Sequence, residues 1–204
     1  MKKSKTILLL IVFLGFFLRV VSLSYNPPSL NWDEVSHGYN AYSVLLSGKD
    51  EWGKVPIFNF RAYGDYPLPL NLYLTIPFIH FLGLNEFAIR FPHAILGTLT
   101  IVASYFLVKG LFKKEKYALL VSFLVAISPW YLFPSRFVLQ SNLSVFLLTA
   151  FFAAFFNRDK KKYLLPISFS FLGLTLFAYH TTRILSPLIL FAMLVIYKKE
   201  FFSK

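Results

Sequence analysis

Apolar residues dominate seven stretches of the chain: 6–23, 66–82, 87–111, 117–134, 140–157, 163–179 and 183–197. Runs of this length predict helices that cross a bilayer or lie in it. Polar residues collect in the short gaps between them, and in one long gap that follows the first run. In that gap, the segment Trp32-Asp33-Glu34-Val35-Ser36-His37-Gly38-Tyr39-Asn40-Ala41-Tyr42 predicts a helix over 33–46, entered from the extended Tyr25-Asn26-Pro27-Pro28. Asp33 would cap its first turn, and His37 would lie one turn on along the same face.

Charge turns the pattern into a topology. Clusters at Lys2/Lys3/Lys5, Lys109/Lys113/Lys114/Lys116, Arg158/Lys160/Lys161/Lys162 and Lys198/Lys199/Lys204 hold 14 cations against three acids, Glu115, Asp159 and Glu200. The other polar stretches hold six cations (Lys49, Lys54, Arg61, Arg90, Arg136, Arg183) and six acids. Under the positive-inside rule the clusters face the cytoplasm. Run 6–23 then ends outside and 87–111 must start outside, so 66–82 begins and ends on one face. Its Pro67, Pro69 and Pro77 weaken a spanning helix and suit an interfacial or re-entrant one. Residues 24–86 thereby become one extracytoplasmic loop, leaving six spans in a multi-pass cell-membrane protein with both termini cytoplasmic. No small-x-small cleavage site follows the first run, which reads as a retained span.

Composition supports a polytopic membrane protein. The chain is 57% hydrophobic and 20% aromatic, with 25 Phe and a mean hydropathy of +0.61, and 204 residues leave room for about six or seven spans. The net charge of +12 sits in loop clusters and does not signal nucleic-acid binding. There is no cysteine, which excludes disulfides and thiolate metal sites.

Six of the nine acids fall within residues 31–86. A carboxylate at a bilayer edge pays for its desolvation unless it has a partner or a task, so Asp33, Glu34, Asp50, Glu51 and Asp65 are the candidate chemistry. Alone, Asp33 could be only a cap, and the Asp50 and Asp65 regions only solvated turns. Arg90, Arg136 and Arg183 stand at the outer ends of later spans. One such arginine is commonly a headgroup snorkeller, whereas three beside an acidic loop suggest an anionic ligand, because guanidinium matches phosphate oxygens. The four histidines, 37, 80, 93 and 180, are too dispersed for a metal cluster.

The segment Trp32-Asp33-Glu34, Gly38-Tyr39, Gly48-Lys49-Asp50-Glu51-Trp52-Gly53, Gly64-Asp65-Tyr66, Phe81-Leu82-Gly83-Leu84-Asn85-Glu86 and Arg90, followed by Ser128-Pro129-Trp130, Ser135-Arg136 and Tyr179-His180-Thr181-Thr182-Arg183, resembles the N-terminal half of glycosyltransferase family 39. That family includes the protein O-mannosyltransferases and the aminoarabinose transferase of lipid A. The resemblance implies an all-α GT-C-like multi-span bundle whose first outer loop is catalytic. It also implies a polyprenyl-phosphate-linked sugar as donor, a hydroxyl acceptor on a protein, glycan or lipid, and inverting transfer. By the same resemblance Asp33 would be the general base and Glu34 its neighbour or a metal ligand, the two together holding a divalent metal such as Mg or Mn. Many relatives carry an acid five residues past the arginine matching Arg136. This chain has Ser141 there, which leaves Asp50, Glu51 or Asp65 to supply the second carboxylate. Family members commonly run to more than twice this length, so the chain reads as the N-terminal part of a longer enzyme. A lipid-linked-sugar transporter would need charges near the midplane of its spans, and apart from Arg19 there are none. A non-catalytic membrane remnant is the third reading, favoured by the short length.

Overall fold

The structure, a computed structural model, describes residues 2–198; Lys199, Glu200 and Lys204 of the last cluster lie outside the described residues. Among the described residues the regular elements are helices: α1 Lys2–Val20, α2 Trp32–Ser47, α3 Leu70–Leu82, α4 Glu86–Phe112, α5 Glu115–Ile127, α6 Pro129–Leu132, α7 Gln140–Phe155, α8 Leu164–Leu174 and α9 His180–Ile196. One-turn 3-10 segments follow α6 at Pro134–Arg136 and α7 at Arg158–Lys160, and Thr175–Phe177 extends α8. α4 is the axis of the molecule, with α1, α3, α5 and α7 packed along it and α8 on the far side of α7.

Among the described residues, α4 alone is both long and apolar enough to cross a bilayer as one helix. Its 27 residues rise about 40 Å. The run 117–134 is not the continuous helix its hydropathy predicts. It breaks at Ser128-Pro129, and the two halves diverge by 64°. Proline has no N–H to offer the carbonyl four residues back, which here belongs to Val125. Arg19 supplies the replacement: Nη2 donates to Val125 O at 3.2 Å, and Nη1 to Ala126 O at 3.1 Å and Gly15 O at 2.9 Å. The apparent intramembrane charge is thus a clasp between α1 and the broken end of α5.

The run 66–82 forms the 13-residue α3, which rises only about 20 Å, short of the ~30 Å hydrocarbon core. α7, α8 with its extension, and α9 are likewise apolar helices of 10–17 residues.

α2 runs 32–47, matching the predicted helix to within a residue at each end, but its cap is not Asp33. Asn31 fills that role: its side chain accepts from Glu34 N at 2.9 Å, while Glu34 Oε2 accepts from Asn31 N at 3.1 Å, a capping box. α2 lies close against α4 because Gly38 has no side chain; a Cβ there would sit 2.4 Å from Ile89 Cδ1. The core beneath α2 joins Ala41, Phe60, Leu72, Ile79, Ile89 and Val138 from α2, the loop, α3, α4 and the segment before α7.

Candidate active site

The capping box leaves Asp33 exposed on α2 and turns Glu34 inward, where it is fully buried against Arg90. Arg90 Nε donates to Glu34 Oε1 at 2.9 Å and Nη2 to Oε2 at 3.0 Å. Its remaining N–H groups go to Leu23 O (3.1 Å), Pro27 O (2.8 Å) and Ser29 O (2.6 Å). A guanidinium has five donors, and all five are engaged. Glu34 is equally committed: Oε1 also accepts from Val138 N at 3.3 Å and Oε2 from Asn31 N, filling the roughly four acceptor positions of a carboxylate. The pair therefore clamps the 23–31 entry, α2, α4 and the segment before α7 together, with neither group presented to a ligand.

Asp33 lines a cavity of about 210 Å³ with Ser36 and His37 from α2. Asp65 faces the same space from the loop, Gln140 and Ser141 from the start of α7, and Tyr179 and His180 from the start of α9. Asp65 is delivered by a tight turn in which Ala62 and Asp65 exchange hydrogen bonds of 2.9 and 2.8 Å. Tyr63 and Gly64 adopt φ of 46° and 90° there, a left-handed pair for which glycine is well suited. The loop is tied to α9 by His180 Nε2 and Tyr66 O at 3.1 Å.

The other loop acids are elsewhere. Asp50 is buried, and its Oδ1 accepts from Trp52 N (3.0 Å) and Lys54 N (2.8 Å), closing its own turn. Glu51 locks onto Asn40, accepting from Nδ2 at 2.9 Å while its N–H donates to Oδ1 at 3.0 Å. The arginines do not gather around the Asp33 cavity either. Arg136 spends three N–H groups on Leu18 O (2.6 Å), Val21 O (2.8 Å) and Asn26 O (2.6 Å) and borders a separate cavity. Arg183 is exposed at the first turn of α9 and donates to Leu176 O (3.1 Å) and Phe58 O (3.4 Å).

The metal pairing suggested for Asp33 and Glu34 does not fit these positions. Glu34 has no acceptor site left, and among the described residues no three His, Asp or Glu side chains come together as a metal site.

His37 lines the cavity beside Asp33, as its position one turn on along the same helical face suggested. It is buried, with no hydrogen-bond partner on Nε2. Burial pushes its pKa down to about 4, opposed by a backbone hydrogen bond at Asn71. The imidazole is therefore neutral at physiological pH. Because the folded value lies below the unfolded one of about 6.5, the unfolded chain protonates first as pH falls. Stability is then full above pH 6.5 and declines toward pH 4, by ~2 kcal/mol at pH 5. Unfolding measured against pH should show a slope of this sign, and His37→Gln should reduce it in that window.

Sequence and structure comparisons place the chain. No curated protein matches the sequence. The fold is similar to that of ArnT from Cupriavidus metallidurans, solved bound to undecaprenyl phosphate, with a TM-score of 0.67 at 15% identity. The match covers 96% of this chain but 35% of ArnT, so the chain spans about a third of that protein's length. The family model for dolichyl-phosphate-mannose-protein mannosyltransferases matches residues 9–178. Because that model spans well over half of its length, the chain belongs to the dolichyl-phosphate-mannose-protein mannosyltransferase family.

Proposed function

We propose that the chain is the catalytic N-terminal part of a membrane glycosyltransferase that moves a sugar from a polyprenyl phosphate to a hydroxyl acceptor at the outer face of the membrane. The observation that carries this is the Asp33 cavity. One carboxylate with no fixed partner faces a second, Asp65, across a space walled by neutral hydrogen-bonding groups, Ser36, His37, Gln140 and Ser141.

In this reading Asp33 takes the proton of the acceptor hydroxyl as its oxygen attacks the anomeric carbon. The bond from that carbon to the phosphate oxygen breaks, the configuration inverts, and the polyprenyl phosphate leaves. Asp65 stands where it can orient the acceptor, in place of the acid missing at Ser141. His37 and Ser36 offer hydrogen bonds to sugar hydroxyls. Arg183, with two of its donors spent on carbonyls, is the arginine best placed to meet the leaving phosphate. Arg136, bound to three backbone carbonyls beside a separate cavity, and Arg90 act through position alone.

The six-span topology belongs to this proposal. Supporting it, α4 runs from Arg90 near the cavity to the Lys109–Lys116 cluster, where Lys109 Nζ meets Glu115 Oε2 at 2.7 Å. Cysteine-free, the chain suits single-cysteine labelling. Lys114→Cys should react with a membrane-impermeant maleimide only after permeabilisation, and Val55→Cys in intact cells. Labelling of Lys114→Cys from outside would overturn the orientation. Transfer itself is tested by supplying membranes that contain the chain with a radiolabelled polyprenyl-phosphate sugar, and its dependence on Asp33 decides the mechanism.

A further inference from the structure

A further cavity lies toward the opposite end of α4 and α7 from Asp33. α4, α7 and α8 enclose a groove of about 520 Å³. Ala150, Ala153 and Ala154 of α7 form its floor, and larger side chains, Phe106 of α4 and Ile167 and Phe171 of α8, form its walls. Small residues set between bulkier ones give an open apolar groove. Leu99, Phe106 and Ile167 remain 41%, 46% and 39% exposed along it. From Phe146 to Asn157 the groove follows about 16 Å of helix, roughly half of a ~30 Å hydrocarbon core, which is the depth of one leaflet.

Only one end of the groove is polar, and it is cationic. Asn157, Lys160, Lys161 and Tyr163 border it there. Asn157 is locked across two helices, its Nδ2 donating to Phe106 O at 2.9 Å and Ala153 O at 2.8 Å. Its Oδ1 accepts from Lys160 Nζ, so a fixed side chain holds one ammonium at the mouth with two of its three donors left. Lys161 Nζ stands 5.4 Å from the Tyr163 ring centroid, the interfacial aromatic of this end. The turn carries Arg158, Lys160, Lys161 and Lys162 against Asp159 alone. Plain hydrocarbon contact would not need an organised ammonium at the mouth of an otherwise apolar groove.

We propose that this groove is a binding site for an anionic glycerophospholipid, with one acyl chain in it and the phosphate between Lys160 and Lys161. The proposal rests on the membrane-embedded reading above but not on the transfer chemistry, since Gln140 of α7 borders the Asp33 cavity and Asn157, just past its other end, borders the groove.

The test uses nanodiscs of phosphatidylcholine holding equal small fractions of brominated phosphatidylglycerol or brominated phosphatidylcholine. Ile167→Trp, at a half-exposed wall position, should show added fluorescence that the brominated phosphatidylglycerol quenches preferentially. Lys160→Gln with Lys161→Gln should reduce that preference about fivefold per lysine. In native mass spectrometry of the unsubstituted chain, retained phosphatidylglycerol should fall on the same double change, which keeps the question open to refutation should Ile167→Trp misfold. Equal quenching by the two lipids, or no response to loss of the lysines, would overturn the site. Phe13→Trp, on the exposed face of α1, separates the failures. Quenching there but not with Ile167→Trp means that no lipid enters the groove, and the site is refuted. Quenching at neither refutes the embedded topology as well.

Discussion

Arg90→Ala is expected to lower the stability of the chain by about 3–5 kcal/mol, the cost of stripping a buried carboxylate of its partner. The side chain serves more than a pair. Its removal leaves Glu34 charged and fully enclosed, and it strands the carbonyls of Leu23, Pro27 and Ser29 that it holds. Arg90→Lys should fall between the two, because an ammonium has three donors and no planar fork for Glu34. Replacing both partners, Glu34→Gln with Arg90→Met, should cost less than the sum of the single changes, and a double-mutant cycle on thermal unfolding in detergent measures that coupling. The same variants decide what Arg90 does. A clamp predicts lost stability and lost transfer together, through displacement of α2 and hence of Asp33. A phosphate ligand predicts a raised donor KM with unfolding unchanged, and that pattern would return Arg90 to the donor site.

The sequence made the helices legible and the polar contacts much less so. Long apolar runs and their cationic ends are local signals, and α2, α4, α7 and α9 fall close to where those signals put them. Ser128-Pro129 was visible as residues but not as a 64° break, because a continuous apolar run hides which carbonyls lose their partners. The Asn31-Glu34 capping box was also a local pattern, masked by the nearer acid at 33. Partners such as Arg19 and Val125, or Glu34 and Val138, are about a hundred residues apart and meet only because α4 carries α1, α2 and the start of α7 on its surface. For the same reason the six loop acids could be gathered but not sorted. Spacing could not tell that Asp50 closes a turn, that Glu51 pins Asn40, and that Asp65 comes round to face Asp33.

Asp33→Asn is expected to lower kcat for sugar transfer by 10²–10⁴-fold, the usual contribution of a positioned general base, while leaving unfolding within about 0.5 kcal/mol of the parent. Both halves follow from the same geometry. Asn31 caps α2 and Glu34 anchors it, so the exposed Asp33 carboxylate carries none of the hydrogen bonds that define the helix start. An amide at that position keeps the shape and gives up the proton acceptor. Asp33→Glu should retain part of the rate, because the carboxylate persists but its oxygens shift relative to the anomeric carbon. Asp65→Asn should act mainly on acceptor KM if it orients rather than deprotonates, and Ser141→Asp should restore some of that loss by supplying a carboxylate from the other wall of the cavity. Initial rates from a radiolabelled polyprenyl-phosphate sugar, taken with unfolding curves for each variant, separate these roles. Equal transfer by parent and Asp33→Asn would remove the base assignment, and collapse of kcat in Asp65→Asn would move it across the cavity. No transfer by the parent in membranes that contain it would assign this third of an ArnT-like length a dependence on further polypeptide, with the Asp33 cavity as one wall of a shared site.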